Sequence, residues 1–368
     1  MREIVRKVGQ RIMVGFQGHT ASPDLRRLVR DYGVGHVILF ARNVDTPEQV
    51  AELVREVQSI AREARHEDPL LVTVDQEGGK VARLRAHWTE WPPAQALGRT
   101  GSEDLARRMG EALAAELSAC GIGLDFAPVM DVNTNPSNPI IGALGRSLSD
   151  DPDLVGRLGA AMIKGLQDGG VAACAKHFPG HGDTAVDSHL DLPVVDHPRS
   201  RLEDVELRPF GKAVEAGVAA VMTVHALVRE VDDQWPATLS PRVVRELLRD
   251  GLKFRGVVFT DDLDMKAVSA RWKPAEFAVA AAKAGCDILS LCADHDAQVE
   301  ALEALVRAVE VEAITWTELD EAADRIRALK RRFLLPYRDP DPRTARQAAG
   351  AGQAWAVARE IAERAAMA

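Results

Sequence analysis

The chain has 368 residues, and its 46 lysines and arginines against 55 aspartates and glutamates give a net charge of −9. This acidic balance argues against nucleic-acid and anionic-membrane partners, which depend on an excess of positive charge. The sequence contains no run of 18 apolar residues that could span a membrane, and its four cysteines are too few for a disulfide scaffold. A composition of 46% hydrophobic and 27% charged residues is that of a globular protein.

The first 16 residues carry charges through their first turns and contain no apolar core typical of a secretory signal. We therefore expect a cytoplasmic protein with reduced thiols. Cys174, Cys286 and Cys292 lie in apolar runs, which predicts buried free cysteines.

Eight short, apolar, β-rich runs recur along the chain, each followed by a longer amphipathic stretch. The runs cover residues 11–18, 34–40, 70–78, 123–132, 171–180, 218–226, 256–263 and 286–292. Because they are continuous rather than alternating, they predict strands covered on both faces, as in a parallel sheet. Eight strand–helix units predict an α/β fold, a closed (β/α)8 TIM-like barrel, over residues 1–337.

Helical periodicity is clearest at residues 46–64 and 102–120, where Ser102 is a candidate N-terminal cap. Two further helices follow the eighth strand. Residues 338–368 begin with a proline-rich linker and continue as one predicted helix, weakened by Gly350 and Gly352. About 30 residues cannot form a second domain with a useful core, so we predict a single domain with a short C-terminal helical extension.

Polar residues follow the predicted strands at the points where the strands end. They are Asp75, Gln76, Glu77, Asp131, Asn133, Lys176, His177, His225, Asp261 and Asp262. The site of such a barrel is built at the carboxyl ends of its strands. We therefore expect these side chains to converge on one face.

The densest polar segment, residues 175–193, contains three histidines and leaves three interpretations open. His177, His181 and His189 could bind a metal ion, but the Pro-Gly pair between the first two prevents a regular helix face. The side chains could also merely satisfy one another in a loop. Alternatively, Asp187 could orient His189 and raise its pKa toward working pH, as in a mobile acid/base loop.

The end of the seventh strand, FTDDLDM, supplies two adjacent carboxylates. Asp261 could be a nucleophile, a metal ligand or a base, whereas a structural role is favoured for Asp262. Arg83 follows two glycines that would let the backbone approach a ligand. Arg146 is a further, isolated candidate. A lone arginine is more often a surface cation than a site residue.

Several motifs together resemble glycoside hydrolase family 3. DQEGG-x-V-x-R, WPPAQALG, DFAPVMDVN, GRSLSDDP, KHFPGHGDT-x-x-DSH and GVVFTDDLDM occur in that family's order, over about residues 8–335. KHFPGHGDT-x-x-DSH is highly specific and is similar to the branch that contains β-N-acetylglucosaminidases, including enzymes that recycle peptidoglycan. Lys80 stands where the family usually has arginine, which changes little because both are cations.

The resemblance implies roles for eight residues. Asp261 matches the nucleophile, His189 the acid/base, and Asp187 the carboxylate that pairs with it. The positions that hold the sugar are matched by Asp75, Arg83, Arg146, Lys176 and His177. The resemblance implies a small carbohydrate substrate and neither a cofactor nor a metal, and it says nothing of oligomeric state. Residues 358–368 are similar to the linker helix before the family's second domain, so we expect a one-domain member.

These observations predict a retaining exo-β-N-acetylglucosaminidase that forms a covalent glycosyl-enzyme intermediate. One alternative is a phosphorylase of the same glycosides, because a histidine acid is not anionic when deprotonated and could admit phosphate. Another is a metal-dependent barrel hydrolase. Substrate-assisted catalysis, with Asp261 and Asp262 orienting the N-acetyl group, is a third alternative. An inactive sugar-binding barrel is disfavoured because positions for both nucleophile and acid are present.

Overall fold

Eight parallel strands close into a barrel in chain order, with the first strand paired to both the second and the eighth. This computed structural model describes residues 2–188 and 190–368. The strands are β1 Ile12–Val14, β2 His36–Leu39, β3 Leu71–Val74, β4 Leu124–Asp125, β5 Ala172–Phe178, β6 Ala220–Thr223, β7 Val257–Asp262 and β8 Ile288–Leu291. Each lies within one of the eight predicted runs, so the prediction of a TIM-like α/β barrel is confirmed.

Helices surround the barrel and follow most of its strands. They are α1 Glu3–Gly9, α2 Pro23–Arg27, α3 Pro47–Glu63, α4 Ala94–Thr100, α5 Glu103–Ala119, α6 Pro152–Asp168, α7 Arg199–Arg201, α8 Leu207–Glu215, α9 Lys266–Ser269, α10 Pro274–Ala284, α11 His295–Glu310, α12 Trp316–Leu334, α13 Pro342–Ala348 and α14 Gly352–Met367. Segments Leu28–Tyr32, Leu202–Glu206 and Arg242–Gly251 are π-helical, and Ala41–Asn43 and Ala237–Leu239 are 3₁₀-helical. Two short strand pairs, Gln76–Gly78 with Val81–Ala82 and Val194–Val195 with Leu227–Val228, lie outside the barrel.

The predicted helix starts are set by hydroxyl caps. Thr46 accepts a hydrogen bond from the Gln49 amide, and Ser102 accepts one from the Leu105 amide. Each cap satisfies a backbone donor that has no partner inside its helix. The buried residues of α3 and α5 lie on the face that packs inward, so the apolar stripe determines how each helix meets the sheet.

Side chains fill the interior of the barrel. Met13, Ile38, Leu71 and Phe126 belong to this inner cluster, and Phe126 meets Phe259 edge to face with ring centroids 5.3 Å apart. Ile326 and Leu329 of α12 join the same cluster. All four cysteines are buried and free, as predicted for three of them.

The C-terminal extension packs on the barrel helices α3, α4 and α5. The prediction of one helix here is wrong, because α13 ends at Ala348 and α14 begins at Gly352. Gly350 has φ +63°, a conformation that interrupts a right-handed helix, and its amide donates to the buried Glu116 carboxylate at 2.7 Å. No helix within the described residues is long and apolar enough to cross a membrane.

Candidate active site

The carboxyl ends of the strands open onto a cavity of about 260 Å³. Six predicted site residues line it: Asp75, Arg83, Arg146, Lys176, His177 and Asp261. Because all eight strands run parallel, their carboxyl ends meet at one face of the barrel. The predicted convergence is observed, whereas the roles of the individual residues remain predictions.

A short hairpin after β3 positions Arg83. The amide side chain of Gln76 accepts hydrogen bonds from the backbone of Arg83 at 2.9 Å and Leu84 at 3.0 Å, and it donates to the Leu84 carbonyl at 2.8 Å. Gly78 and Gly79 both have positive φ, which permits the tight turn. The Arg83 guanidinium reaches Asp75 at 3.4 Å, so the hairpin sets a cation beside the strand-end carboxylate.

Lys176, at the end of β5, lies on the cavity floor with only 2% of its side chain exposed. Its Nζ is 2.7 Å from Asp75 Oδ1 and 2.7 Å from Glu77 Oε1. Burial alone would lower the pKa of Lys176, but the two carboxylates raise it above its ordinary value. The amine therefore stays charged and is held in one orientation.

Arg146, an isolated candidate on its own and a sugar-holding residue by the motif resemblance, is largely buried, with 11% of its side chain exposed. Its Nε and Nη2 bind the two oxygens of Glu77 at 2.8 and 2.7 Å, and its Nη1 donates to the Ile140 carbonyl at 2.9 Å. The sequence places Glu77 at a strand end, but its patterns indicate no function for this residue. Its place in the DQEGG motif, next to Asp75, was the signal that could have identified it.

His177 is oriented by Asp131, a second strand-end carboxylate for which the sequence patterns indicate no function. Its Nδ1 lies 2.7 Å from Asp131 Oδ2, and Asp131 Oδ1 accepts the backbone amides of His177 at 3.2 Å and His181 at 2.7 Å. Burial opposes the charge of Asp131, yet these neighbours lower its pKa below the ordinary value. His177 Nε2 thus faces Arg146 Nη2 at 3.5 Å.

Asp261 lies near the end of β7 and lines the cavity, as predicted. Burial would raise its pKa, but the nearby His177 and His225 and the Asp262 amide, which donates to Asp261 Oδ1 at 2.8 Å, lower it below the ordinary value. The carboxylate is therefore ionised at neutral pH and presents negative charge to whatever occupies the cavity.

The adjacent Asp262 has structural contacts, in agreement with the favoured interpretation. Its Oδ1 accepts the backbone amides of Asp264 at 3.1 Å and Cys292 at 3.2 Å. Burial and the nearby Asp264 raise the pKa of Asp262 to about 7. His225 contacts the Asp262 carbonyl at 3.0 Å and Thr238 Oγ1 at 2.8 Å, so it supports this turn.

The predicted acid, His189, lies outside the described residues. Its neighbour Ser188 is buried and lines the cavity, so the segment that carries the predicted acid reaches the site at that residue. The predicted partner Asp187 is partly exposed and is not among the cavity-lining residues. Asp183, in the same segment, contacts His197.

Of the three histidines in the metal alternative, His177 and His181 have a ring nitrogen bonded to another side chain, and His189 lies outside the described residues. His177 Nδ1 is engaged by Asp131, and His181 Nδ1 by Thr184 Oγ1 at 2.7 Å. Within residues 2–188 and 190–368, no three histidine, cysteine, aspartate or glutamate side chains gather as metal binding would require.

Apolar side chains form much of the remaining cavity wall, and sequence reasoning did not identify them as site residues. They include Phe40, Phe126, Met222 and Met265. A small pocket with apolar walls and a few fixed charges suits a compact ligand that has both C–H faces and hydroxyl groups.

Curated relatives and a solved structure are similar to this chain. A beta-hexosaminidase of Thiobacillus denitrificans is 41% identical over 287 residues, which are 76% of this chain and 77% of that protein. A beta-hexosaminidase A of Pseudoalteromonas piscicida is 35% identical over 333 residues, and the chain spans only 55% of its length. A glycoside hydrolase family 3 β-N-acetylglucosaminidase from Paenibacillus sp. str. FPU-7 superposes with a TM-score of 0.91 and 41% identity, over 99% of this chain and 69% of that one.

The family model for the N-terminal domain of glycosyl hydrolase family 3 matches residues 3–329. That range contains all eight strands and every cavity residue described above. Since the match covers most of the chain and the charged residues of the matched motifs meet in one cavity, the chain belongs to glycoside hydrolase family 3.

Proposed function

We propose that this glycoside hydrolase is a retaining exo-β-N-acetylhexosaminidase that releases terminal β-linked N-acetylglucosamine. The observation that carries the proposal is the ionised Asp261 in a cavity whose other polar groups include anchored cations and carboxylates. The names of the similar proteins, two beta-hexosaminidases and a β-N-acetylglucosaminidase, support this substrate class.

The size and charge of the cavity support action on a single terminal sugar. A volume of about 260 Å³ is below the range of roughly 300–1,000 Å³ typical of drug-sized ligands. Asp75, Lys176 and Arg146 can form charge-assisted hydrogen bonds with sugar hydroxyls. Because these groups are already fixed by one another, little reorganisation is required when the sugar binds.

In the first chemical step, an Asp261 oxygen attacks the anomeric carbon while the bond to the leaving oxygen breaks. His189 donates its proton to that oxygen, which leaves a glycosyl ester on Asp261. In the second step, His189 accepts a proton from water as the water oxygen attacks the anomeric carbon and releases Asp261. Asp187 orients the imidazole and stabilises its charged form.

Trapping the intermediate tests the nucleophile. A 5-fluoro N-acetylglucosaminyl fluoride slows both steps while keeping the acetamido group, so it should label Asp261 in peptide mass spectrometry. Asp261→Asn should abolish turnover of an aryl N-acetylglucosaminide, whereas the matched variant Asp262→Asn should retain labelling. A label on another residue would overturn the assignment, and turnover without any adduct would favour substrate-assisted catalysis.

Leaving-group dependence tests the acid. His189→Ala should greatly lower kcat/KM for poor leaving groups and much less for activated aryl groups, which hardly need protonation. Azide should rescue the second step and give a glycosyl azide. Asp187→Ala should show a weaker form of the same pattern and a shifted acidic limb of the pH profile. Equal damage for good and poor leaving groups, without rescue, would indicate a structural role for His189.

Product analysis decides the acceptor and the sugar. Aryl glycosides of N-acetylglucosamine and glucose are compared with and without phosphate. A preference for the glucoside would overturn the substrate class. A rate raised by phosphate, with sugar 1-phosphate as product, would identify a phosphorylase instead.

A role in peptidoglycan recycling is a finer part of the proposal and rests on the motif resemblance. Cleavage of N-acetylglucosaminyl-anhydromuramyl substrates faster than chitobiose would support it, and the opposite preference would contradict it.

A further inference from the structure

A buried hydrogen-bonded cluster lies between the cavity floor and the acid/base segment. It consists of His181, Thr184, Ser188 and Asn138, which are all at most 1% exposed. Asn138 Nδ2 donates to the His181 carbonyl at 2.7 Å and to Thr184 Oγ1 at 3.1 Å. The His181 amide donates to Asp131 Oδ1 at 2.7 Å. The backbone of His181 is therefore fixed from two sides.

The His181 ring connects this fixed backbone to the segment that carries the predicted acid. Its Nδ1 is 2.7 Å from Thr184 Oγ1, and its Nε2 is 3.4 Å from Ser188 Oγ. Ser188 stands between Asp187 and His189 in the sequence. Its carbonyl also accepts the Ala267 amide of α9 at 3.2 Å, so this residue is held from the β5 side and from the β7 side.

Ser188 is buried while residues on either side of it are exposed. Val186 is 42% exposed and Leu190 is 68% exposed, whereas Ser188 is 1% exposed. The contact with His181 thus attaches a buried residue of this stretch to the barrel. Both side chains line the cavity, so the attachment lies where a bound sugar would meet it.

We propose that His181 is a positioning residue, which holds Ser188 and thereby sets the Asp187–His189 pair against the glycosidic oxygen. This inference rests on the proposed function, because it assumes that His189 is the acid. Burial, and secondarily His177, lower the pKa of His181 to about 4 against the opposing effect of Asp131. A ring that is neutral at working pH has one donor and one acceptor, which matches one contact to Thr184 and one to Ser188.

Two amide substitutions separate the two ring contacts. The amide of His181→Gln reaches the position of Nε2 and can keep the Ser188 contact, whereas that of His181→Asn reaches the position of Nδ1 and cannot. For poor leaving groups, His181→Asn should lower kcat/KM by about 10–100-fold, the effect of misplacing a catalytic group by about 1 Å. The loss should be much smaller for activated leaving groups and for His181→Gln.

Removing the serine hydroxyl gives an independent measurement. Ser188→Ala should reproduce the leaving-group pattern of His181→Asn, and the double variant should be no worse than either single one. Ser269→Ala, an exposed serine of α9, is the matched control. If His181→Asn fails to fold, Ser188→Ala alone decides.

The outcomes distinguish this inference from the proposed function. If His189→Ala shows the leaving-group pattern while His181→Asn and Ser188→Ala lose activity equally on all substrates, only the positioning role is wrong. If His189→Ala shows no such pattern, the acid assignment itself fails. Additive losses in the double variant would also overturn the His181–Ser188 contact as the basis of the effect.

Discussion

Glu77→Gln tests whether one buried carboxylate holds two of the cavity's cations, Arg146 and Lys176, in place. The Glu77 side chain is 4% exposed, and its oxygens lie 2.7 and 2.8 Å from Arg146 and 2.7 Å from Lys176. The amide keeps the shape but removes the charge, so Arg146 would lose its carboxylate partner and Lys176 would keep only Asp75. Removing one partner of a buried ion pair costs about 3–5 kcal/mol. For a chain of this length that loss lowers Tm by about 4–7 °C.

The pH dependence of the free energy of unfolding gives a second, independent test of the Glu77 ion pairs. Burial favours the neutral form of Glu77, but Arg146 and Lys176 hold its pKa below the ordinary value of 4.5. Because the folded pKa is depressed, the stabilisation is fully present above pH 4.5 and is lost as the pH falls toward the folded value. The difference in free energy of unfolding between wild type and variant should stay nearly constant from pH 7 to pH 5 and decrease by about 1 kcal/mol at pH 4.

Urea unfolding followed by circular dichroism at pH 7, 5 and 4 measures these differences. The matched control is Glu90→Gln, an exposed carboxylate in the same connection between β3 and β4. Turnover of an aryl N-acetylglucosaminide should fall in Glu77→Gln because Arg146 loses its fixed orientation. Stability equal to that of the control, or a difference that does not change between pH 5 and pH 4, would refute this account of Glu77.

Three further predictions concern other parts of the molecule. Burial lowers the pKa of Lys330 from 10.5 to about 7, which destabilises the fold by about 4 kcal/mol at pH 7 and about 1 kcal/mol at pH 10. Lys330→Met should therefore stabilise the fold more at pH 7 than at pH 10. A stability difference that does not change with pH, as expected for the exposed Lys164→Met, would contradict this. Glu116 accepts hydrogen bonds from Thr89 and Gly350. Glu116→Gln should lower the free energy of unfolding in urea by about 1–3 kcal/mol and speed proteolysis near residue 350. Unchanged cleavage would contradict the role of Glu116 in holding the C-terminal extension. EDTA should leave hydrolysis unchanged, and activity that is lost on chelation and restored by zinc would revive the metal-dependent alternative.

Local sequence patterns were sufficient to predict the barrel and most of its cavity. Continuous apolar runs of strand length predicted all eight strands, because a strand covered on both faces leaves that pattern in adjacent residues. The caps Thr46 and Ser102 follow from local hydrogen bonds between residues three apart. Asp261 could be singled out because it is the first carboxylate after an apolar run of strand length, at the end of the barrel where such a side chain can enter the site.

Only the tertiary structure decided how the charges are paired. Arg146 meets Glu77 across 69 residues, and Lys176 meets Asp75 across 101 residues, separations at which no periodic pattern connects the partners. Likewise, the Gly350 amide at the break between α13 and α14 donates to Glu116, which lies 234 residues earlier. The sequence by itself thus determined which side chains lie at the strand ends, since that depends on near neighbours. Closure of the barrel determined which of them bind one another, since it brings distant strand ends within hydrogen-bonding distance.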